Sequence, residues 1–156
     1  MKTRNRLMVF TDKNIFLILF AIFFSGCVTN TKLFSNVYTS TDKTYGYTKT
    51  NPISFTNGDL KQSTDALFYY LKHLRTANDK KLIPVMQFSI NNPDYNPNKF
   101  SIKRVFGDPT DLKERFLDLY LLKVENEADT IKLFFNLGKK DTVRAPIGLK
   151  FIQEIN

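Results

Sequence analysis

Cysteine and histidine are almost missing from this chain, with Cys27 and His73 the single representatives of their types. One thiol cannot close an intramolecular disulfide or build a thiolate metal cluster. One imidazole excludes a zinc site that needs two, and it leaves Ser-His-Asp or Cys-His chemistry open only if His73 is itself the base. No phosphate loop, dinucleotide fingerprint or GxSxG elbow occurs, so no cofactor is implied. Internal repeats and low-complexity blocks are also lacking. Basic residues outnumber acidic ones 23 to 15, a net charge of +8. Yet Lys80-Lys81, Lys103-Arg104 and Lys139-Lys140 are pairs rather than runs. A nucleic-acid binder needs a concentrated basic face, so nucleic acid is not an expected partner.

The strongest positive signal stands at the N-terminus. Lys2, Arg4, Arg6 and Lys13 precede ten unbroken apolar residues, Ile15–Phe24, and then Ser25-Gly26-Cys27. A basic start, a short apolar run and small residues read as a secretory signal peptide over residues 1–26. Ten to twelve helical residues span only about 15–18 Å, against the roughly 30 Å of a bilayer core, which argues against a permanent transmembrane helix. Without those four bases and Asp12 the net charge falls from +8 to +5. The segment Phe24-Ser25-Gly26-Cys27 resembles the lipobox of bacterial lipoproteins, with Phe24 in place of the usual Leu, Val or Ile. That resemblance implies a diacylglycerol-modified, usually N-acylated Cys27 as the first residue after cleavage. More than one acyl chain gives a stable anchor, since each buried methylene contributes about 0.8 kcal/mol. No Asp follows Cys27, which by resemblance to lipoprotein sorting rules points to the periplasmic face of an outer membrane.

Residues 27–44 are rich in Ser, Thr and Asn and read as a polar tether that docks in part on the domain. A single domain is expected over 45–156, with its core supplied by many of the chain's fifteen Phe and seven Tyr. Tyr45–Ile53 alternates aromatic and small residues up to an Asn-Pro turn signal, as a short strand would. Asn57 or Asp59 can cap a helix on which Leu60, Ala66, Leu67, Tyr70, Leu71 and Leu74 share one side, with its end expected near Ala77-Asn78-Asp79. Leu82–Ile90 is short and apolar, with Pro84 suiting a strand start or an edge. Residues 91–98 are loop by composition, and Phe100 and Ile102 suggest a strand. For residues 112–124 a strand is favoured over a helix. Period-two runs through Leu117–Val124 and Ile131–Leu137, across the turn residues Asn126-Glu127-Ala128-Asp129, predict a β-hairpin. Pro146 and Gly148 form a turn before a last strand, Leu149–Ile152. The expected fold is α+β, one main helix packed on an antiparallel sheet of four to six strands.

Three segments in this order resemble a family of short bacterial envelope lipoproteins of uncharacterised function. They are Tyr45-Gly46-Tyr47-Thr48 with Asn51-Pro52-Ile53, the hairpin through Leu117-Asp118-Leu119-Tyr120 and Ile131–Asn136, and the turn Ala145-Pro146-Ile147-Gly148-Leu149. Relatives tend to carry a Gly-rich stretch after the Asn-Pro and a central Cys pair; Ser54–Asn57 and Phe88–Tyr95 supply neither. Some relatives bear the label 2-dehydro-3-deoxyphosphooctonate aldolase. That enzyme is similar to a phosphate-binding (β/α)₈ barrel of about 250 residues, which the stretch 27–156 is too short to close.

Tyr45, Tyr47 and Asn51 form a candidate recognition surface, because tyrosine joins an apolar ring to a polar tip. The same residues also suit a strand and turn with rings half in the core and Gly46 allowing close approach. His73 reads as a helical surface residue. Asp108, Asp111 and Glu114 are near in sequence and could form a cation site or a carboxylate pair, or simply a loop and helix cap. Tyr95 sits in an Asn/Pro loop of ordinary turn residues. The resulting expectation is a non-enzymatic envelope lipoprotein, attached to the membrane through Cys27 and bound to an envelope protein. A small periplasmic hydrolase using carboxylates or His73 is the rival, and an immunity or inhibitor protein fits by size alone. An exposed aromatic or β-edge patch would favour binding; convergence of titratable groups in a pocket would favour catalysis.

Overall fold

The computed structural model describes residues 33–98, 105, 107 and 110–153. Cys27, its leader, Asp108 and the strand expected at Phe100 and Ile102 lie outside these residues. The described chain is α+β, in the order β1 (Ile53–Ser54), α1 (Leu60–His73), β2 (Leu74–Thr76), β3 (Leu82–Asn91), α2 (Thr110–Arg115), β4 (Phe116–Val124), β5 (Thr130–Asn136) and β6 (Leu149–Phe151).

Helix α1 begins where the sequence places a cap. The Asp59 carboxylate accepts the Gln62 N–H at 2.8 Å from an extended backbone, meeting one of the four donors a helix start leaves unpaired. Ser63, Ala66, Leu67, Tyr70 and Leu71 then bury one side of it. The helix stops at His73, several residues before the expected Ala77-Asn78-Asp79. Leu74 is already extended, and Leu74–Thr76 pair antiparallel with Phe151, Lys150 and Leu149. A strand partner from the far end of the chain outcompetes three more residues of helix, a tertiary choice that local periodicity does not show.

The main sheet has the order β1-β5-β4-β3. The β4–β5 hairpin forms as expected, with Tyr120 opposite Leu133 and Leu122 opposite Ile131. Its turn is closed by Asn126 at φ 60° and by the Val124 N–H donating to the Asp129 carbonyl at 3.2 Å. The stretch 112–124 proves to be both structures in succession: α2 runs to Arg115 and β4 starts at Phe116. The sheet is mixed rather than antiparallel throughout, because the two residues of β1 run parallel to Phe135 and Asn136 of β5. Tyr120, Leu122, Val124, Leu133 and Phe135 face α1 and share its core. Tyr70 meets Phe135 edge-on at 6.0 Å and stacks on Phe151 at 5.5 Å, which ties the helix to both sheets.

Residues 33–44 are not a tether. Phe34 is wholly buried among Phe55, Tyr69, Tyr70 and Phe151. Its carbonyl accepts from Gln153 Nε2 at 2.7 Å. Ser40 donates to the Ala145 carbonyl at 2.7 Å, and Ala145 donates to that of Tyr38 at 2.9 Å. The domain thus starts before Tyr45, and the polar composition of this stretch concealed one aromatic anchor. Among the described residues no helix is long and apolar enough to cross a membrane.

Candidate functional site

Tyr45, Tyr47 and Asn51 come together, but as the inside of a turn. Asp42 is its hub: one carboxylate oxygen accepts the Thr44 N–H and hydroxyl at 2.8 Å each, and the other accepts Asn51 Nδ2 at 2.8 Å. These bonds, the Thr44 backbone donor first, hold the Asp42 carboxyl below the ordinary carboxylate range. Asn51 Nδ2 also donates to the Thr44 hydroxyl, and its carbonyl accepts the Gly46 N–H. The Tyr45 ring is buried beneath the Arg144 guanidinium, 4.6 Å from its centroid, and its oxygen accepts the Arg144 N–H at 3.2 Å. Burial raises the Tyr45 phenol above its usual range. Tyr47 is half-buried and donates to the Ile147 carbonyl at 2.7 Å.

The three residues are therefore not an exposed recognition surface; their polar tips are used internally. Gly46 shows what the turn is for. It sits at φ 79°, and a Cβ there would stand 2.8 Å from Pro146 Cγ and 3.0 Å from Ile53 Cγ1. Two of the three segments singled out by resemblance, Tyr45–Ile53 and Ala145–Leu149, are packed against each other. Their residue types answer to that junction.

His73 is likewise not a surface group. It is buried, its ring centroid lies 4.1 Å from that of Tyr69, and Nδ1 lies 2.7 Å from the Tyr69 carbonyl oxygen. Of the three carboxylates, Asp108 and the Asp111 side chain lie outside the described residues, and Glu114 is exposed. Among the described residues no group of three or more His, Cys, Asp and Glu side chains could hold a metal ion. Tyr95 is half-buried in its loop, its N–H donating to the Asn92 carbonyl at 3.1 Å.

Two polar arrangements escaped the sequence. Lys113 of α2 is buried and donates to Ser63 Oγ at 3.1 Å and to the Gly58 carbonyl at 3.2 Å. A Ser–Lys pair can be nucleophile and base, but here the serine is wholly enclosed. Its hydroxyl donates to the Asp59 carbonyl at 2.9 Å and accepts the Asn57 N–H at 3.1 Å. This is a clasp between α2 and the start of α1. On β4, Asp118 and Tyr120 lie on the core side. Gln87 donates to Asp118 at 3.2 Å, and burial raises the Asp118 carboxyl above its usual range. Burial first, then the Asp118 charge, pushes the Tyr120 phenol up to about 12, and among the described residues its hydroxyl has no hydrogen-bond partner.

The larger feature is the outer side of the main sheet. Strand alternation puts Leu117, Leu119 and Leu121 opposite the core side of β4. Register then builds one apolar row across three strands, Phe88–Leu119–Phe134, and a shorter one, Met86–Leu121, that ends on Lys132 of β5, with Ile90 beside the fully buried Leu117. Among the described residues β3 borders the sheet with no partner beyond it. It exposes Ile83 by 47%, Val85 by 51%, Met86 by 56% and Phe88 by 45%. The sequence carried a hint: β4 is apolar on both sides, as strands covered on both sides are. In comparisons with known proteins, no family model, no curated protein and no solved structure matches the chain.

Proposed function

We propose that this chain is a lipid-anchored component of the bacterial cell envelope that works by binding rather than by catalysis. The observation that carries the reading is the β3 edge, unpaired among the described residues, with its exposed apolar side chains. Contiguous exposed apolar surface beyond a few hundred Å² marks an interaction site on soluble domains, and an unpaired strand edge is a template for pairing. The anchor rests on the basic, apolar and small-residue succession that ends at Cys27, and the periplasmic face of an outer membrane is its proposed location.

The test places a photo-crosslinking residue at Phe88, and at Lys61 on α1 as control, in cells making the full chain. Phe88 is expected to give adducts in the membrane fraction and Lys61 none. Cys27→Ala is expected to release the protein from that fraction. Equal labelling at both positions removes the binding reading, and a Cys27→Ala chain that stays in the membrane removes the anchor.

A further inference from the structure

The outer edge of β3 can be read for the kind of partner it fits. From Leu82 to Asn92 the chain carries no charged residue. Natural edge strands are commonly blocked against self-pairing by lysines, inward charges, prolines or bulges. β3 has such protection only in its first half, where Pro84 lies and where the register with β4 shifts between Pro84 and Met86. The half from Met86 to Asn91 is regular, uncharged and unblocked. It is about as long as a typical strand.

We propose that the partner is a second copy of this chain, joined edge to edge through β3 about a two-fold axis. The proposal rests on the binding reading of β3 above and names its occupant. In an antiparallel pair, the residues that exchange hydrogen bonds both point their N–H and C=O groups toward the seam. Those groups alternate along a strand, so a two-fold seam passes through a residue rather than between two. The Asn92 N–H donates to the Arg115 carbonyl, so by alternation Phe88 points its own groups toward β4 and Gln87 and Ser89 point theirs outward. A seam centred on Phe88 then sets Phe88 against its own copy and Met86 against Ile90 of the other as non-hydrogen-bonded pairs, with Gln87 and Ser89 exchanging the bonds. All three are on the outer side, so the apolar rows of the two copies become continuous.

Charge agrees with this occupant. Without its leader the chain carries a net +5 and repels its own copy at long range, and an uncharged strip is the place where two copies meet without adding to that repulsion. Beyond the strip the ends are complementary: Lys81 stands before β3 and Asp94 after it, both exposed. Antiparallel pairing centred on Phe88 brings the Lys81 end of each copy beside the Asp94 end of the other. Size sets the strength. The seam buries the edge backbone from Met86 to Asn91 and the flanks of its side chains, not the outer side itself, and so falls short of the about 800 Å² per partner in a standard interface. That places the dimer in the weak class that dissociates on dilution.

The full-length chain in detergent, followed by sedimentation equilibrium across a hundredfold range of concentration, is expected to pass from monomer to dimer. Phe88→Lys is expected to weaken the dimer at least tenfold while keeping the circular dichroism spectrum and melting transition. Lys81→Asp should weaken it less, and Lys81→Asp with Asp94→Lys should restore it, a readout that misfolding does not imitate. In a Cys27→Ser background, Phe88→Cys is expected to form a disulfide-linked dimer on mild oxidation and Ile83→Cys not to. A chain monomeric throughout the range, or a dimer indifferent to Phe88→Lys and to the charge swap, overturns the proposal. If the chain is monomeric yet Phe88 still crosslinks to another envelope protein, or holds the chain to phosphatidylglycerol vesicles, the second copy is wrong and the binding reading stands. Should Phe88 capture nothing at all, both fall.

Discussion

A half-buried carboxylate beside a buried phenol on β4 shows how a single residue can tie stability to pH. Asp118 has its pKa raised, chiefly by burial, with only the Gln87 amide as an opposing influence. The folded state therefore holds the Asp118 proton more tightly than the unfolded chain does. Its contribution to stability is complete below the unfolded aspartate value, about 3.9. That contribution is lost as pH rises through the elevated folded value, and above it the buried charge remains a constant cost. Asp118→Asn keeps an oxygen for Gln87 and removes the charge. The variant is expected to melt a few degrees above the parent at pH 7. The two should converge at about pH 3 and below, where Asp118 is neutral in both states. Thermal melts across that range check it, and a gain as large at pH 3 as at pH 7 would put the cause in packing rather than charge.

Elements whose signals are local were legible, and those settled by distant partners were not. Asp59 with a period of 3.6 behind it announces α1, and Asp59→Ala is expected to cost about 1 kcal/mol in urea unfolding with an unchanged m-value. The β4–β5 hairpin follows from two alternating runs around a turn, and Pro84 pointed to an edge for β3. The end of α1 was misplaced because Leu74–Thr76 obey a distant partner, Leu74 facing Phe151, 77 positions away. For the same reason the Tyr45–Asn51 segment looked like a surface. Alternating tyrosines say that one side is buried but not which groups take up the hydroxyls, and the Ile147 and Arg144 backbones that do so lie about 100 residues on. His73 was placed at the surface as a lone helical histidine whose neighbour Lys72 offers no carboxylate; the ring packed against it, Phe151, again comes from the C-terminal end of the domain. The β3 patch was half visible, since composition shows an uncharged strand but cannot show that Met86 and Phe88 are left exposed on its outer side.

At the scale of the whole molecule, the two ends of the domain hold each other. Phe34 enters the aromatic cluster from the N-terminal side and Phe151 from the C-terminal side, with centroids 5.6 Å apart. Thr39 and Ser40 run beside Ala145, and Gly46 closes on Pro146. Losing a buried Phe costs about 3–5 kcal/mol, and a domain of this size is stable by only about 5–15 kcal/mol. The stretch from 33 to 44 therefore carries a large fraction of the total, although its composition is that of a linker. A chain starting at residue 32 is expected to unfold cooperatively in urea like the full domain. One starting at residue 45 should lose cooperative unfolding, and Phe34→Ala in the longer chain should lie between them. If the chain from residue 45 unfolds with the same midpoint as the longer one, Phe34 and the Ala145 pairing are ornaments on a core that closes without them, and the tether reading of 27–44 returns.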